Sequence, residues 1–496
     1  MDIASTESNV QSGLAEGDHG DLVSRGEGTL QGSRRSSLRR ALLHPSLVIN
    51  AASNWTATAV NMAVGFFLTP FIIHCIGKSD YGIWTLVASV VGYYGVLGLG
   101  VSNAITPYTA QYIGRKNWLA LDKFVNTALT FFTSIGLVAL VASFVLAAPL
   151  ASFFDITPDR FASFQYTMWI VGFAAAVGFP EKVLVSTIRG HENYVAGNCI
   201  IIAAALLRAG LTVWFLLKGF GLFGAALAVA VSDTFSLIVS VILCRTLAKH
   251  VKVKLFSGSW QMLRILLLFG GTTVVISVAE MLRFQIDSVV IGKFLGMEAV
   301  AVYAIAATLM RLFLRGIQDT MKVLKPRFAV LYGSGQKEEL QQTLFRSTTV
   351  ASTFAFGGVA VLIVFGRQLI YLWVGAKFMD AAPALYILVA ALAFEMAQNP
   401  GINVLYAVDR IRSLAGLWMV EALINVALSL LLVGPLGIIG VALGTAIPCI
   451  MLKLLVLPYL ITRAASVPIT NYYLRILVPA LIAGVVVLLA AMLGWL

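Results

Sequence analysis

The 496-residue chain is 59% hydrophobic and only 12% charged, with a mean hydropathy of +0.89. Soluble proteins carry about 25% charged residues, so these proportions exclude a soluble enzyme, a nucleic-acid binder and a disordered scaffold. The continuous apolar runs exclude an outer-membrane barrel of ~10-residue alternating strands, and the net charge of +12 matches the Lys/Arg excess of cytoplasmic loops in a polytopic helical membrane protein.

In chain order, residues 1–45 are rich in Gly, Ser and charge, and are expected to form a disordered cytoplasmic tail. No signal-peptide pattern is evident there. The tail ends in Arg34-Arg35-Ser-Ser-Leu-Arg39-Arg40, which reads as a topology anchor on anionic lipid. Thirteen apolar segments follow, and a helix of about 20 residues crosses a ~30 Å hydrocarbon core. The first six are 47–74, 82–107, 124–149, 162–187, 194–217 and 221–244. The next six are 262–289, 299–321, 347–374, 380–406, 412–433 and 437–461, and 472–495 is the last. With the N-terminus inside, 24 of the 35 Lys and Arg fall on the cytoplasmic side and six outside, with five inside spans. That bias predicts the orientation.

Two internal repeats divide the chain. Ile76-Gly77-Lys78 recurs as Ile291-Gly292-Lys293, an offset of 215. Gly221-Leu-Phe-Gly224-Ala-Ala226 recurs as Gly437-Ile-Ile-Gly440-Val-Ala442, an offset of 216. The expected fold is all-α: two pseudo-symmetric six-helix lobes, 46–250 and 251–465, around a central cavity, with an additional helix in 466–496. Two such lobes predict alternating access. The four cysteines (Cys75, Cys199, Cys244, Cys449) form no CxxC pair and read as small core residues, and the histidines show no metal-ligand spacing. No metal or cofactor is expected.

Thr69-Pro70-Phe-Ile-Ile-His-Cys-Ile-Gly77-Lys-Ser-Asp80-Tyr81-Gly82-Ile-Trp84 resembles the first loop of polysaccharide transporters of the O-antigen flippase type. Gly98-Leu-Gly100-Val-Ser-Asn103 is similar to their second span, and Gln285-Ile-Asp287-Ser-Val-Val-Ile-Gly292-Lys-Phe-Leu-Gly296 to the start of their second lobe. The likeness covers residues 47 to 462 and places the chain in the multidrug/oligosaccharide-lipid/polysaccharide exporter superfamily. It implies flipping of a polyprenyl-diphosphate-linked oligosaccharide between leaflets of a bacterial inner membrane. The partners implied are that lipid-linked oligosaccharide, membrane lipids, and a polysaccharide polymerase or export machinery.

A charge at mid-bilayer costs about 2.5–3.5 kcal/mol on insertion scales, so it faces a cavity or a partner. Arg208, Arg283 and Arg311 lie within spans, and a guanidinium fork matches phosphate oxygens. They are the candidate headgroup contacts, with Lys182 nearer a span end; the alternative is that each pairs with a carboxylate to hold helices together. Lys453 is also near a span end and expected to snorkel outward. Glu280, Arg283 and Asp287, spaced i, i+3 and i+7, share one helical face, so Arg283 could be neutralised within its own helix. Asp233, Glu280, Asp287, Glu395 and Glu421 are candidates for proton or Na+ coupling. Pro180 and Pro400 mark bending points. A cation-coupled multidrug exporter of the same fold is the alternative function, but the first span has no Asp or Glu to hold a cationic drug. A membrane enzyme is disfavoured, because the longest internal loop, 322–346, bears no nucleotide motif.

Overall fold

A computed structural model describes residues 45–254 and 257–493. The expected tail and its arginine cluster lie outside the described residues. Among those described the backbone is helical almost throughout, with no strand. In a bilayer this is one of two ways to satisfy every backbone donor and acceptor. Serine and threonine hydroxyls inside the helices follow the same logic: Thr127 donates to the Lys123 carbonyl at 2.6 Å and Ser143 to that of Ala139 at 2.9 Å.

The described residues fall into two units that meet at Thr56 and Ala57. The first contributes the opening turns of helix α1 (Pro45–Tyr94), where the Ser53 hydroxyl donates to the Asn50 carbonyl at 2.9 Å. The second unit holds the rest. After α1 come α2 (Leu99–Gly114), α3 (Trp118–Phe153), α4 (Pro158–Gly190), α5 (Tyr194–Leu217) and α6 (Gly221–Leu247). The second half comprises α7 (Trp260–Leu295), α8 (Met297–Lys322), α9 (Leu324–Gly333), α10 (Lys337–Val374), α11 (Ala381–Ala397), α12 (Asn399–Ala407), α13 (Ile411–Leu455), α14 (Leu457–Ala465) and α15 (Ile469–Met492).

Every expected span falls on helix over its described residues, with breaks where the sequence supplies breakers. Nine helices among the described residues are long and apolar enough to cross a membrane, and ten if α11 and α12 count as one span bent by 43°. At 1.5 Å per residue, α1 and α13 are each about twice a bilayer's thickness. Each contains one non-helical glycine, Gly77 (φ 80°) and Gly437 (φ 58°), where two spans meet. Tight turns join α2 to α3 and α4 to α5. In each a positive-φ residue, Lys116 or Glu192, precedes an Asn cap: Asn117 accepts from Ala120 N at 3.1 Å and Asn193 from Ala196 N at 3.2 Å.

The apolar interior forms two cores. One is drawn from Ile83 through Leu266, the other mainly from Ile276 through Ile476. Ile72, Ile73 and Tyr81 of α1 belong to the second core, so α1 ties the halves together. The segment between α6 and α7 is strapped to α3. Asp122 accepts from Lys252 N (2.7 Å), Asn126 donates to the Lys252 carbonyl (2.8 Å) and accepts from Lys254 N (2.7 Å), and Thr127 accepts from Ser259 N (2.9 Å). His250 stacks on Trp118 with centroids 4.0 Å apart. Of the cysteines, Cys244 and Cys449 are buried as expected, but Cys75 and Cys199 are exposed.

Candidate functional site

The chemistry-bearing side chains form three groups. The first lies on α8. Its apolar side, including Val302, Ile305, Leu309, Leu314 and Ile317, is buried. Arg311, Arg315 and Lys322 recur at i, i+4 and i+11 and therefore share one face, half-buried at Arg311 and exposed at the other two. Arg311 lies about 21 Å along the helix from Met297, near mid-membrane depth. Among the described residues neither Arg311 nor Arg315 forms an ion pair. Arg311 donates only to Thr308 Oγ1, at 3.3 Å, and Lys322 pairs with Asp319 at 2.5 Å. Arg315 is not among the candidate contacts of the sequence analysis, although it lies within the expected span 299–321; its i, i+4 spacing to Arg311 is the signal that places it on the same track.

The second group lines a cavity of about 230 Å³ between α1, α4, α5 and α6, bringing together Asn61, Glu181, Lys182, Arg208, Asp233 and Ser236. Arg208 pairs with Asp233 at 2.5 Å and donates to Ser232 at 3.1 Å, while Ser236 donates to Glu181 at 2.8 Å. Lys182 is exposed, lies 5.3 Å from the Phe179 ring and forms no ion pair among the described residues. Arg208 is thus carboxylate-neutralised, yet 40% of its side chain stays accessible. No described contact joins Arg208 to Arg311.

The third group corrects two expectations. Arg283 is not neutralised within its own helix: it is 4% exposed and pairs with Glu395 at 2.6 Å and Glu421 at 3.1 Å, from α11 and α13. Lys453 does not snorkel; it is fully buried in the same cluster, 2.8 Å from Glu421 and 3.6 Å from Glu395. The reason is mutual compensation, since two cations and two carboxylates offset a desolvation cost that each alone would meet by reaching water. Glu395, Glu421 and Cys449 place ligand atoms within 4.8 Å of one another, as a metal site would, but Arg283 and Lys453 already supply the positive charge there. The Gln398 side chain donates to the Lys453 and Phe394 carbonyls, at 2.6 and 3.0 Å, at the α11–α12 break.

Glu280 is exposed and forms no ion pair among the described residues. Asp287 is buried; it accepts from the Tyr303 hydroxyl and from Thr445 Oγ1 at 3.1 Å, and its Oδ1 accepts no hydrogen bond among the described residues. Asn425 donates to Thr445 at 2.8 Å, which extends this polar chain into α13. Tyr303, Asn425 and Thr445 lie on other helices than Asp287, so helical periodicity does not link them to it.

At the end with fewer basic residues, a set of polar and close-packed contacts joins the two halves. Lys293 pairs with Asp155 at 2.9 Å and Lys78 with Glu298 at 3.9 Å. Trp373 Nε1 donates to the Phe66 carbonyl at 2.8 Å and the two rings stack 4.9 Å apart. Gly82 packs so closely that an added Cβ would lie 1.9 Å from the Met297 carbonyl oxygen.

Comparison with known proteins agrees with this architecture. A family described as polysaccharide biosynthesis protein matches residues 75–383. The membrane protein EpsK of Bacillus subtilis, itself uncharacterized, is 23% identical over 90% of this chain and 88% of its own length. A Shigella flexneri protein named "Putative O-antigen transporter" is 18% identical over 85% of this chain and 99% of its own. The inward closed structure of the lipid II flippase MurJ superposes with a TM-score of 0.69 at 13% identity, covering 90% of this chain and 99% of that one, which is a likeness of fold. The chain belongs to the polysaccharide biosynthesis protein family.

Proposed function

We propose that the protein is an alternating-access flippase that moves a polyprenyl-diphosphate-linked oligosaccharide from the cytoplasmic to the outer leaflet of a bacterial inner membrane, with its N-terminus in the cytoplasm. The observation that carries this reading is the cationic face of α8. Arg311 and Arg315, one turn apart and forming no ion pair among the described residues, present two guanidinium forks that match the paired phosphates of a diphosphate. Lys322 extends the same face toward the more basic side, where the headgroup enters. An unpaired guanidinium at mid-depth is costly unless water or an anion serves it, which explains its value to a carrier of anionic cargo. The O-antigen and lipid II carriers among the relatives and neighbours support the substrate class.

In this scheme residues 46–250 and 251–465 are the moving lobes, and 466–496 contributes the additional helix. Lys182 and Arg208 form a second anion-attracting surface. Asp287 is the coupling carboxylate favoured by geometry, because it is buried with only hydroxyl donors and forms no ion pair among the described residues, whereas Glu395 and Glu421 pair with Arg283 and Lys453 and Asp233 with Arg208. Asp287→Asn is expected to leave passive substrate binding intact and to abolish acceleration of transport by a proton or Na+ gradient.

The class of cargo is tested with purified protein in proteoliposomes. The reading predicts translocation of a fluorescent undecaprenyl-diphosphate oligosaccharide and no efflux of lipophilic organic cations. Cation efflux without movement of the lipid-linked sugar would establish the drug-exporter alternative instead.

A further inference from the structure

The last helix, α15, packs on α10 and leaves a furrow between them. Tyr472 and Ile476 near its start and Ala490 near its end are buried, Ala480 and Ala483 between them pack partly against the core, and Ile482 and Val486 stay exposed. Pro479, whose ring supplies no backbone donor, lines the furrow. Small residues facing each other widen it: Gly357 and Ala360 on α10, Ala483 on α15. The resulting furrow holds about 320 Å³ and is lined almost wholly by apolar groups. At Thr353, Pro479 and Ile482 it runs into a second hollow of about 520 Å³, whose mouth carries Asn471 and Arg475.

Arg475 is exposed and forms no ion pair among the described residues. It donates to Thr349 Oγ1 at 3.4 Å and lies 5.9 Å from the Phe345 ring, which aims the guanidinium across the mouth. A furrow of this kind on a lipid-facing helix cannot stay empty without forfeiting dispersion contacts along its walls. Water has no polar partners in its apolar section. A hydrocarbon chain does fit, and the lone cation at one end selects what that chain is attached to.

We propose that the α10–α15 furrow is a binding site for an anionic phospholipid, with its phosphodiester on Arg475 and Asn471 and one acyl chain lying past Gly357 and Ala483. This site is separate from the cationic face of α8 and does not depend on the cargo proposed above. The bound lipid completes the packing of α15 against the second half of the molecule.

The test is native mass spectrometry of the full-length, delipidated protein titrated with dioleoylphosphatidylglycerol or dioleoylphosphatidylcholine. The wild type is expected to bind the first phosphatidylglycerol about fivefold more tightly than phosphatidylcholine, the worth of one basic residue against an anionic lipid. Arg475→Ala, a surface change, should abolish that preference by weakening phosphatidylglycerol binding more than phosphatidylcholine binding. Ala483→Phe, which fills the furrow, should weaken retention of both lipids. A preference that survives Arg475→Ala, or retention unaffected by Ala483→Phe, would overturn the proposal. So would displacement of phosphatidylglycerol by equimolar undecaprenyl phosphate, which would assign the furrow to the transported lipid.

Discussion

At the scale of single residues, the same chemical group serves different ends according to its neighbours. Arg283, Arg208 and Arg311 are all arginines within apolar helices. Arg283 is enclosed with two carboxylates and a lysine; Arg208 shares one carboxylate at the edge of a cavity; Arg311 has a hydroxyl for company. Removing one member of a buried cluster leaves an uncompensated charge, a loss of about 3–5 kcal/mol. Arg283→Met and Lys453→Met should therefore each lower the thermal midpoint of the purified protein sharply, while Arg208→Ala, in a pair that is partly exposed, should cost about 1 kcal/mol or less. Equal melting of all three variants would contradict the ranking. The sequence marked Arg283 as an unusual residue and placed Glu280 and Asp287 on its helical face. It could not reveal Glu395, Glu421 or Lys453 as the partners, since helix periodicity speaks only of neighbours within a turn or two and these come from α11 and α13. For Arg311 the neighbour was legible, though not among the candidate contacts, because Arg315 lies one turn away on the same helix.

Among the elements, glycine breaks carry the internal symmetry. Gly221 and Gly437, matched by the repeat, both open helices at positive φ, 55° and 58°. A side chain at either position would be strained, so the shared motif records a shared backbone need. The Ile-Gly-Lys repeat is a looser guide. Gly77 breaks α1 with φ 80° and ψ 173°, but in the second copy the same geometry falls at Gly296 (φ 82°, ψ 178°), one helical turn beyond Gly292. The strap from α6 to α7 was not legible at all, because Asp122 and Asn126 read as ordinary polar residues near a span end. Asn126 holds both the carbonyl of Lys252 and the amide of Lys254. Asn126→Ala leaves those groups without their partner, at about 1–3 kcal/mol. Limited trypsinolysis after Lys252 and Lys254 should then accelerate about tenfold or more, and unchanged cleavage would show that the strap does not depend on this side chain.

For the whole molecule, the inter-half contacts at the less basic end define what must separate if the halves exchange access. Cysteines replacing Asp155 and Lys293, joined by a short bis-thiosulfonate reagent, should stop transport, and reduction should restore it. Gly82→Val is expected to wedge apart the contact with Met297 and increase thiol labelling of nearby positions from that side. Transport that continues through the cross-link would mean that this end does not open during the cycle. The central claim concerns the path within: the cationic face of α8 grips a diphosphate headgroup. Its most direct test is the rate of lipid-linked oligosaccharide flipping in proteoliposomes for Arg311→Ala and Arg315→Ala beside Arg283→Lys and wild type, each verified as folded. Losing a charge-assisted bond of about 1.5–3 kcal/mol should slow each alanine variant by about 10- to 100-fold, with Arg283→Lys, which keeps the buried positive charge, much nearer to wild type. Wild-type flipping by both alanine variants would contradict the account.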